Sequence, residues 1–326
     1  MVTLMRDAKS PFASHIIGFI AAKRLAPKSR LDYARYLHEF DNFTGNTSLE
    51  QALTLDNAAP WVVEVQGRGI FAARNAAMYL KSFATWVAKS RYIVIEGGGS
   101  RLAGLEAPQT PAGTRDAFSD DQVESIWAVL AERPNRDRAR AIAYLWLLFA
   151  TGLRRNEARQ LALADLHIDD KGTKSWVHVR WQTSKGSKQR KVRLDHDAVG
   201  PITEYIREHR PSYTGPASTP EPLFLTRHGK PFTENGFGSW AARIFDDVER
   251  ATGIKGSSHL FRHTWATQYH RASRDTGLSV YDLKYEGGWA DLNTPLRYTH
   301  QRSFEELLEH PTAITALRKR RIAGTA

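Results

Sequence analysis

One stretch in the first third of the chain limits its fold more than any other. From Glu96 to Arg115 the sequence passes through Gly-Gly-Gly-Ser and then Ala-Pro-Gln-Thr-Pro-Ala-Gly-Thr. Glycine is too permissive and proline too restrictive for a helix or strand to cross it, so it reads as a linker between two bodies. The chain has 326 residues, too many for one comfortable core and enough for two. The expected division is a helical domain over 1–100, a linker over 101–117 and a second domain over 118–326 that ends in a C-terminal helix.

The periodicity on either side fills in the elements. Before the break, Tyr33, Tyr36, Leu37 and Phe40 recur at i, i+3, i+4 and i+7, one face of a helix, and Gly45 stands where a stop belongs. Ile16, Ile17, Phe19 and Ile20 indicate an earlier helix. Ala72 to Val87 indicates a later one, with Met78, Tyr79, Phe83 and Trp86 as its apolar positions. After the break, Ser119-Asp120-Asp121-Gln122 is a capping-box pattern ahead of Val123, Ile126, Trp127 and Leu130. Ala139 to Ala150 is apolar apart from Arg140 and predicts a buried helix closed by Thr151-Gly152. Trp176 to Val179 and Lys191 to Leu194 alternate around a polar turn and predict a β-hairpin. Its tip carries Lys185 and Lys188, with Arg190 and Lys191 beyond as solvated charges on an exposed edge. Helices are expected over 197–210 and 234–251, and a short strand at Pro222 to Leu225. The fold class is mainly α with a small β-hairpin or sheet, α+β.

Charge narrows the partners. Net charge is +11 with a pI near 9.8, and both parts are net positive, which suits a chain that grips a long polyanion. The absence of cysteine excludes disulfides and thiolate metal sites. The longest apolar run is too short for a membrane span and the N-terminus has no signal-peptide pattern, so a soluble cytoplasmic protein is expected.

The chemistry gathers near the end. Residues 257–301 hold a His-x-x-Arg pair, His259 and Arg262, a Gly287-Gly288-Trp289 turn, and Tyr298 nine residues beyond that Trp. An imidazole, a guanidinium, an indole N–H and a phenol are the groups needed to attack a phosphodiester through a protein hydroxyl and hold the developing charge. Ser258 is read as the N-cap of the helix that carries His259 and Arg262. His259 and His263 are four apart, but Leu260 stands where a HExxH metal site needs Glu, and His263 is read as packing. Tyr281 and Tyr285 are read as buried packing residues too. Upstream, Arg154 follows an apolar helix directly, where a charge must be paired or used, and Glu157 is within reach to orient it.

Taken together, Ala150 to Glu157 (ATGLRRNE), Ser184 to Lys188 (SKGSK), His259 to Thr264 (HLFRHT), the Gly-Gly-Trp turn and Tyr298-Thr299-His300 resemble the catalytic half of the tyrosine recombinases, the phage integrase family. The resemblance covers about 118–300 by motif and the N-terminal part by layout only. The family places a helical core-binding, SAM-like DNA-binding domain ahead of the catalytic domain. It implies a site-specific recombinase that cleaves and rejoins DNA through a 3′-phosphotyrosyl bond. Tyr298 would be the nucleophile, Arg154 and Arg262 the phosphate clamp with Glu157 in support, and Lys185 the acid to the leaving oxygen, with Lys188 its rival. His259 would be the acid/base at the tyrosine. Trp289 would be a hydrogen-bond donor where most of the family has His. No metal, ATP or other cofactor is implied. The implied partners are a double-stranded DNA recombination site and further copies of the chain, a dimer on each site and a tetramer in synapsis, with the C-terminal helix docking on a neighbour or folding back in cis. A type IB topoisomerase-like enzyme and an inactive DNA-binding protein on the same scaffold are the alternatives.

Overall fold

The computed structural model describes residues 11–298 except 24, 26, 46, 91, 93–99, 111–115, 134, 170, 182–188 and 214–220. The chain forms two compact units, Met1–Thr114 and Arg115–Ala326. The described part is helical with one small sheet.

The first unit holds α1 (Pro11–Ala22), α2 (Pro27–Phe43), the short α3 (Leu49–Ala52), α4 (Leu55–Gln66) and α5 (Ile70–Lys89). Its core is aromatic: Phe12, Phe19, Phe40 and Phe83 are fully buried, with Trp61 from α4 against Phe40. Tyr36, Leu37 and Phe40 lie on the buried side of α2 as the periodicity requires. On α5 the inward face is Ala73, Ala76, Ala77, Leu80, Phe83, Ala84 and Val87, and Met78, expected inside, is half exposed. Small alanines at every turn let α5 approach its neighbours closely, and Met78 falls on the opposite side. Leu102 and Leu105, within the stretch read as linker, are buried in this core, and Lys81 donates to the Leu105 carbonyl at 2.7 Å.

In the second unit α6 (Asp120–Ala131) starts on the expected capping box of Ser119 and Gln122. The unit is organised around α7 (Asn135–Thr151), whose Tyr144, Leu145, Leu147 and Leu148 are fully buried. Burying each such side chain contributes about 1.5–3 kcal/mol, so α7 anchors the unit. The helix ends where Gly152 turns left-handed at φ +59°. The short α8 (Arg155–Arg159) follows, then the antiparallel sheet β1 (Leu166–His167), β2 (Trp176–Val179) and β3 (Arg190–Arg193), paired in that order with Val177 opposite Val192. α9 (His196–Glu204) packs on α7. Pro222 to Leu225 forms isolated bridges to Ala162 and Pro231 rather than a strand. α10 (Glu234–Thr252) buries Phe237, Trp240, Ile244, Phe245 and Val248. α11 (Ser258–Thr276), α12 (Val280–Gly287) and the single turn α13 (Asn293–Leu296) complete the described part. No described helix is long and apolar enough to cross a membrane.

Two expectations fail on α11 and α12. The N-cap of α11 is Ser257, which accepts from the Leu260 N–H. Ser258 is instead buried one residue inside, 2.7 Å from the Tyr144 hydroxyl. Tyr281 and Tyr285 are exposed, 66% and 58%, because α12 turns Leu283, Glu286 and Gly287 inward and leaves positions 281 and 285 on the other side.

Candidate active site

Four segments of the second unit meet at the C-terminal end of α12. Arg154 is the N-cap residue of α8, so its backbone is still extended while the next residue is helical. Glu157, one turn on, reaches back: it accepts the Arg154 N–H at 2.9 Å and the Arg154 Nη1 at 3.0 Å. The other side of that carboxylate takes a two-pronged bond from Arg190 of β3, at 3.1 and 2.9 Å. Four donors saturate an acceptor with four lone-pair sites. The Glu157–Arg190 pair is almost wholly buried, 2% exposed on both sides. Burial alone would push the Glu157 carboxyl up, but the bonds and charges of Arg190 and Arg154 outweigh it and hold the group below its ordinary value.

Arg262 lies one turn into α11 and is 2% exposed. Its guanidinium donates to the carbonyls of Gly152 and Gly287. Trp289 covers the flat side, its ring 4.4 Å from the guanidinium carbon. Burial first, and the nearby Arg154 second, push its pKa down to about 9, which still leaves it charged at neutral pH.

One feature of the backbone unites these arginines. The carbonyls of Glu286, Gly287 and Gly288 accept, in order, from Arg190 Nε at 2.7 Å, from Arg262 and from Arg154 Nη2 at 3.2 Å. A helix leaves its last carbonyls without intrahelical partners and carries partial negative charge there, so a C-terminus is a natural seat for cations. The two glycines make the seat possible. Gly288 is left-handed at φ +64°, and a Cβ on it would lie 2.8 Å from Arg190; a Cβ on Gly287 would lie 2.0 Å from the Trp289 ring.

Tyr298 sits in the turn just past α13, not within a helix, and its N–H bonds the Pro295 carbonyl at 3.0 Å. Its ring meets His263 edge-on at 4.9 Å and Trp289 at 5.7 Å. Burial holds the phenol above its ordinary pKa, while Arg262, Arg297 and Arg154 pull the other way.

Of the residues singled out in the sequence, the fold brings Arg154, Glu157, Arg262, Trp289 and Tyr298 together. His259 is exposed on the first turn of α11, on the side shared by Arg262 and His263. Lys185 and its rival Lys188 lie outside the described residues, as does the C-terminal segment. Arg190 was read as a solvated edge charge and is buried instead. The signal was there: strand alternation puts it in phase with Val192 and Leu194, and out of phase with exposed Lys191 and Arg193.

Comparison with known proteins decides what this arrangement belongs to. The model of the phage integrase family matches residues 117–304. The chain belongs to that family. It is a tyrosine recombinase, an enzyme of DNA strand exchange. The chain is 28% identical over 292 residues to the tyrosine recombinase XerD of Listeria monocytogenes, covering 86% of this chain and 90% of the relative. It is 26% identical over 304 residues to XerC of Escherichia coli O157:H7, covering 91% and 93%. Among solved structures, a Tn1549 transposon integrase in complex with transposon right-end DNA superposes with a TM-score of 0.71 at 15% identity, covering 96% of this chain and 99% of that one. XerH bound to a palindromic difH substrate gives 0.67 at 19%, covering 88% and 81%. At these identities the structural likeness carries the fold, and the recombinase's own site must be argued from its residues.

Proposed function

We propose that this recombinase cleaves a double-stranded recombination site with Tyr298 as nucleophile. The phenol oxygen attacks the scissile phosphorus, the bond to the 5′-oxygen breaks, and a 3′-phosphotyrosyl bond stores the energy for rejoining to a partner strand. His259 takes the phenol proton and returns it on resealing. Lys185 protonates the departing 5′-oxygen, which becomes the free 5′-hydroxyl. Arg154 and Arg262 hold the non-bridging oxygens, Glu157 orients Arg154, and the N–H edge of Trp289 adds a donor. The first unit, expected as the core-binding domain over 1–100, adds its own grip on the duplex. Two copies occupy one site and four form the synapse. The reaction takes place in the cytoplasm, where the DNA is.

One observation carries this reading. Three guanidiniums, Arg190, Arg262 and Arg154, sit on three successive carbonyls at the end of α12 with a single carboxylate, Glu157, between Arg154 and Arg190, and the half-buried Tyr298 packs on the same Trp289 ring that covers Arg262. Uncompensated positive charge in a partly desolvated place is costly unless an anion belongs there. A phosphodiester under attack, which gains a second negative charge, is such an anion.

The test starts from a pool of nicked duplexes of random sequence, because a nick beside the cleavage point lets the 5′-fragment diffuse away and traps the adduct. DNA that stays with the protein through denaturant and EDTA is sequenced, which yields the site, and the linked peptide is identified by mass spectrometry. Attachment should map to Tyr298 and vanish in Tyr298→Phe, while the exposed Tyr281→Phe and Tyr285→Phe variants should retain it. An adduct that persists in Tyr298→Phe would refute the assignment.

A further inference from the structure

We propose that Arg190 is a positioning residue of the recombination site, one that occupies Glu157 so that the charge of Arg154 stays available to the phosphate. This rests on the reading of Arg154 as a phosphate clamp. Glu157 has two guanidiniums to choose from. Arg190 takes it through both terminal nitrogens, whereas Arg154 gives it only one, and turns its second terminal nitrogen to the Gly288 carbonyl. A planar fork on a carboxylate is the stronger arrangement. Arg190 is held in that place from a third side by the Glu286 carbonyl and from a fourth by the bare Gly288 backbone. Its charge is thus spent on Glu157, and its position leaves it no path to a substrate.

With Arg190 in place, three guanidiniums against one carboxylate leave two positive charges uncancelled, matching the two negative charges on a phosphodiester under attack by a phenolate. Without Arg190, Glu157 turns both oxygens to Arg154, and the clamp is left with Arg262 alone. Arg190 also stands at the start of β3, separated by one residue from the 182–188 segment that bears Lys185. The same side chain therefore fixes the base of that hairpin to the arginine cluster.

The test compares the full-length wild type, Arg190→Met, Glu157→Gln and the Arg190→Met/Glu157→Gln double variant. Two quantities are read: the single-turnover rate of adduct formation on the duplex recovered above, with DNA affinity measured separately, and the titration of the Tyr298 phenol in protein carrying 13C-labelled tyrosine, assigned with Tyr298→Phe. Arg190→Met should lose roughly tenfold to a hundredfold in rate with affinity little changed, and its Tyr298 should titrate higher than in wild type. The double variant removes the competing carboxylate, so its rate should recover by about tenfold over Arg190→Met and the phenol should return toward the wild-type value. A purely structural Arg190 would also let the double variant recover, because Gln relieves a buried carboxylate left without its partner, but it would leave the Tyr298 titration at its wild-type value. A double variant no faster than Arg190→Met, or a phenol that does not move, overturns the proposal. Should Arg190→Met fail to fold, Arg190→Lys keeps the charge and should cleave within several-fold of wild type; a Lys variant as slow as Tyr298→Phe overturns it equally. If wild type forms no adduct, the reading of the reaction fails, while the phenol titration still decides the role of Arg190.

Discussion

Replacing Gly152 by Ala tests how tightly the end of α7 is tied to the active site. Two penalties apply. An Ala held at φ +59° costs about 1–2 kcal/mol relative to its ordinary conformations. Its Cβ would also lie 2.1 Å from the Trp265 ring, where no real contact exists, so the indole or the backbone has to move, and overpacking of this kind costs about 1–3 kcal/mol. The sum is roughly 2–5 kcal/mol, a loss that a domain of ordinary stability survives. For a unit of this size each kcal/mol shifts Tm by about 2–4 °C, so Gly152→Ala should melt roughly 4–20 °C lower. Gly253 supplies the control: it is left-handed at φ +75° with nothing within 4 Å of a Cβ, so Gly253→Ala incurs the conformational penalty alone, roughly 2–8 °C. Calorimetry of the full chain would read both. Gly152→Ala should in addition slow cleavage beyond its loss of folded protein, since the Gly152 carbonyl anchors Arg262 and Trp265 stacks on Trp289. Equal melting of the two variants, with equal cleavage at a temperature where both are folded, would show that the Trp265 contact is not part of the site.

Two further outcomes follow from the charges. Arg154→Ala removes a partly exposed guanidinium from the proposed clamp and should slow adduct formation by about a hundredfold or more, with site binding measured by gel shift largely kept; wild-type cleavage would take Arg154 out of the site. Glu157 has a folded pKa held below its ordinary 4.5, so the stability it contributes is complete above that value and is lost as pH falls through the folded one. Glu157→Gln leaves two buried donors facing an amide N–H and should cost about 1–3 kcal/mol at neutral pH by urea unfolding. The difference from wild type should then shrink as the solution is acidified below about pH 4.5, and a difference that grew instead would refute this account of the carboxylate.

What could be read from the sequence, and what could not, divides along physical lines. α7 is legible because an apolar run interrupted only by Arg140 has to be buried, and β2 and β3 because alternation specifies both the element and its face. The bounds of α4 are harder to read within this helical stretch because Pro60 lies inside it and removes a ladder donor, although Ala58, Trp61, Val62 and Val65 form a sound buried face. Tyr281 and Tyr285 lie outside rather than packed because residue type alone does not say which face a Tyr takes, and the inward face of α12, Leu283, Glu286 and Gly287, has one apolar side chain to mark it. Arg190 was misread because a buried ion pair looks, in one dimension, like a surface charge. Its partner lies 33 residues away, and only the fold brings the two together.

The Gly-Gly-Trp turn shows how far residue types explain this site once the fold is known. Gly287 lacks a Cβ, which lets the Trp289 ring fold back over it; Gly288 takes the left-handed turn that ends α12 and frees its carbonyl for Arg154. The ring so placed lies against the guanidinium of Arg262, and an indole face attracts a buried cation by about 0.5–2 kcal/mol. An imidazole here would add a hydrogen-bond donor, but once protonated it would repel Arg262, whose pKa is already pushed down by burial and by Arg154. Indole avoids that conflict. It donates only through its edge, so stacking on Arg262 does not consume the N–H, and it cannot take up a proton at neutral pH. Trp in place of the usual His therefore keeps an N–H donor beside Arg262 while removing a group that could exchange a proton at neutral pH, and on the proposed reading of the reaction that leaves proton transfer at Tyr298 to His259.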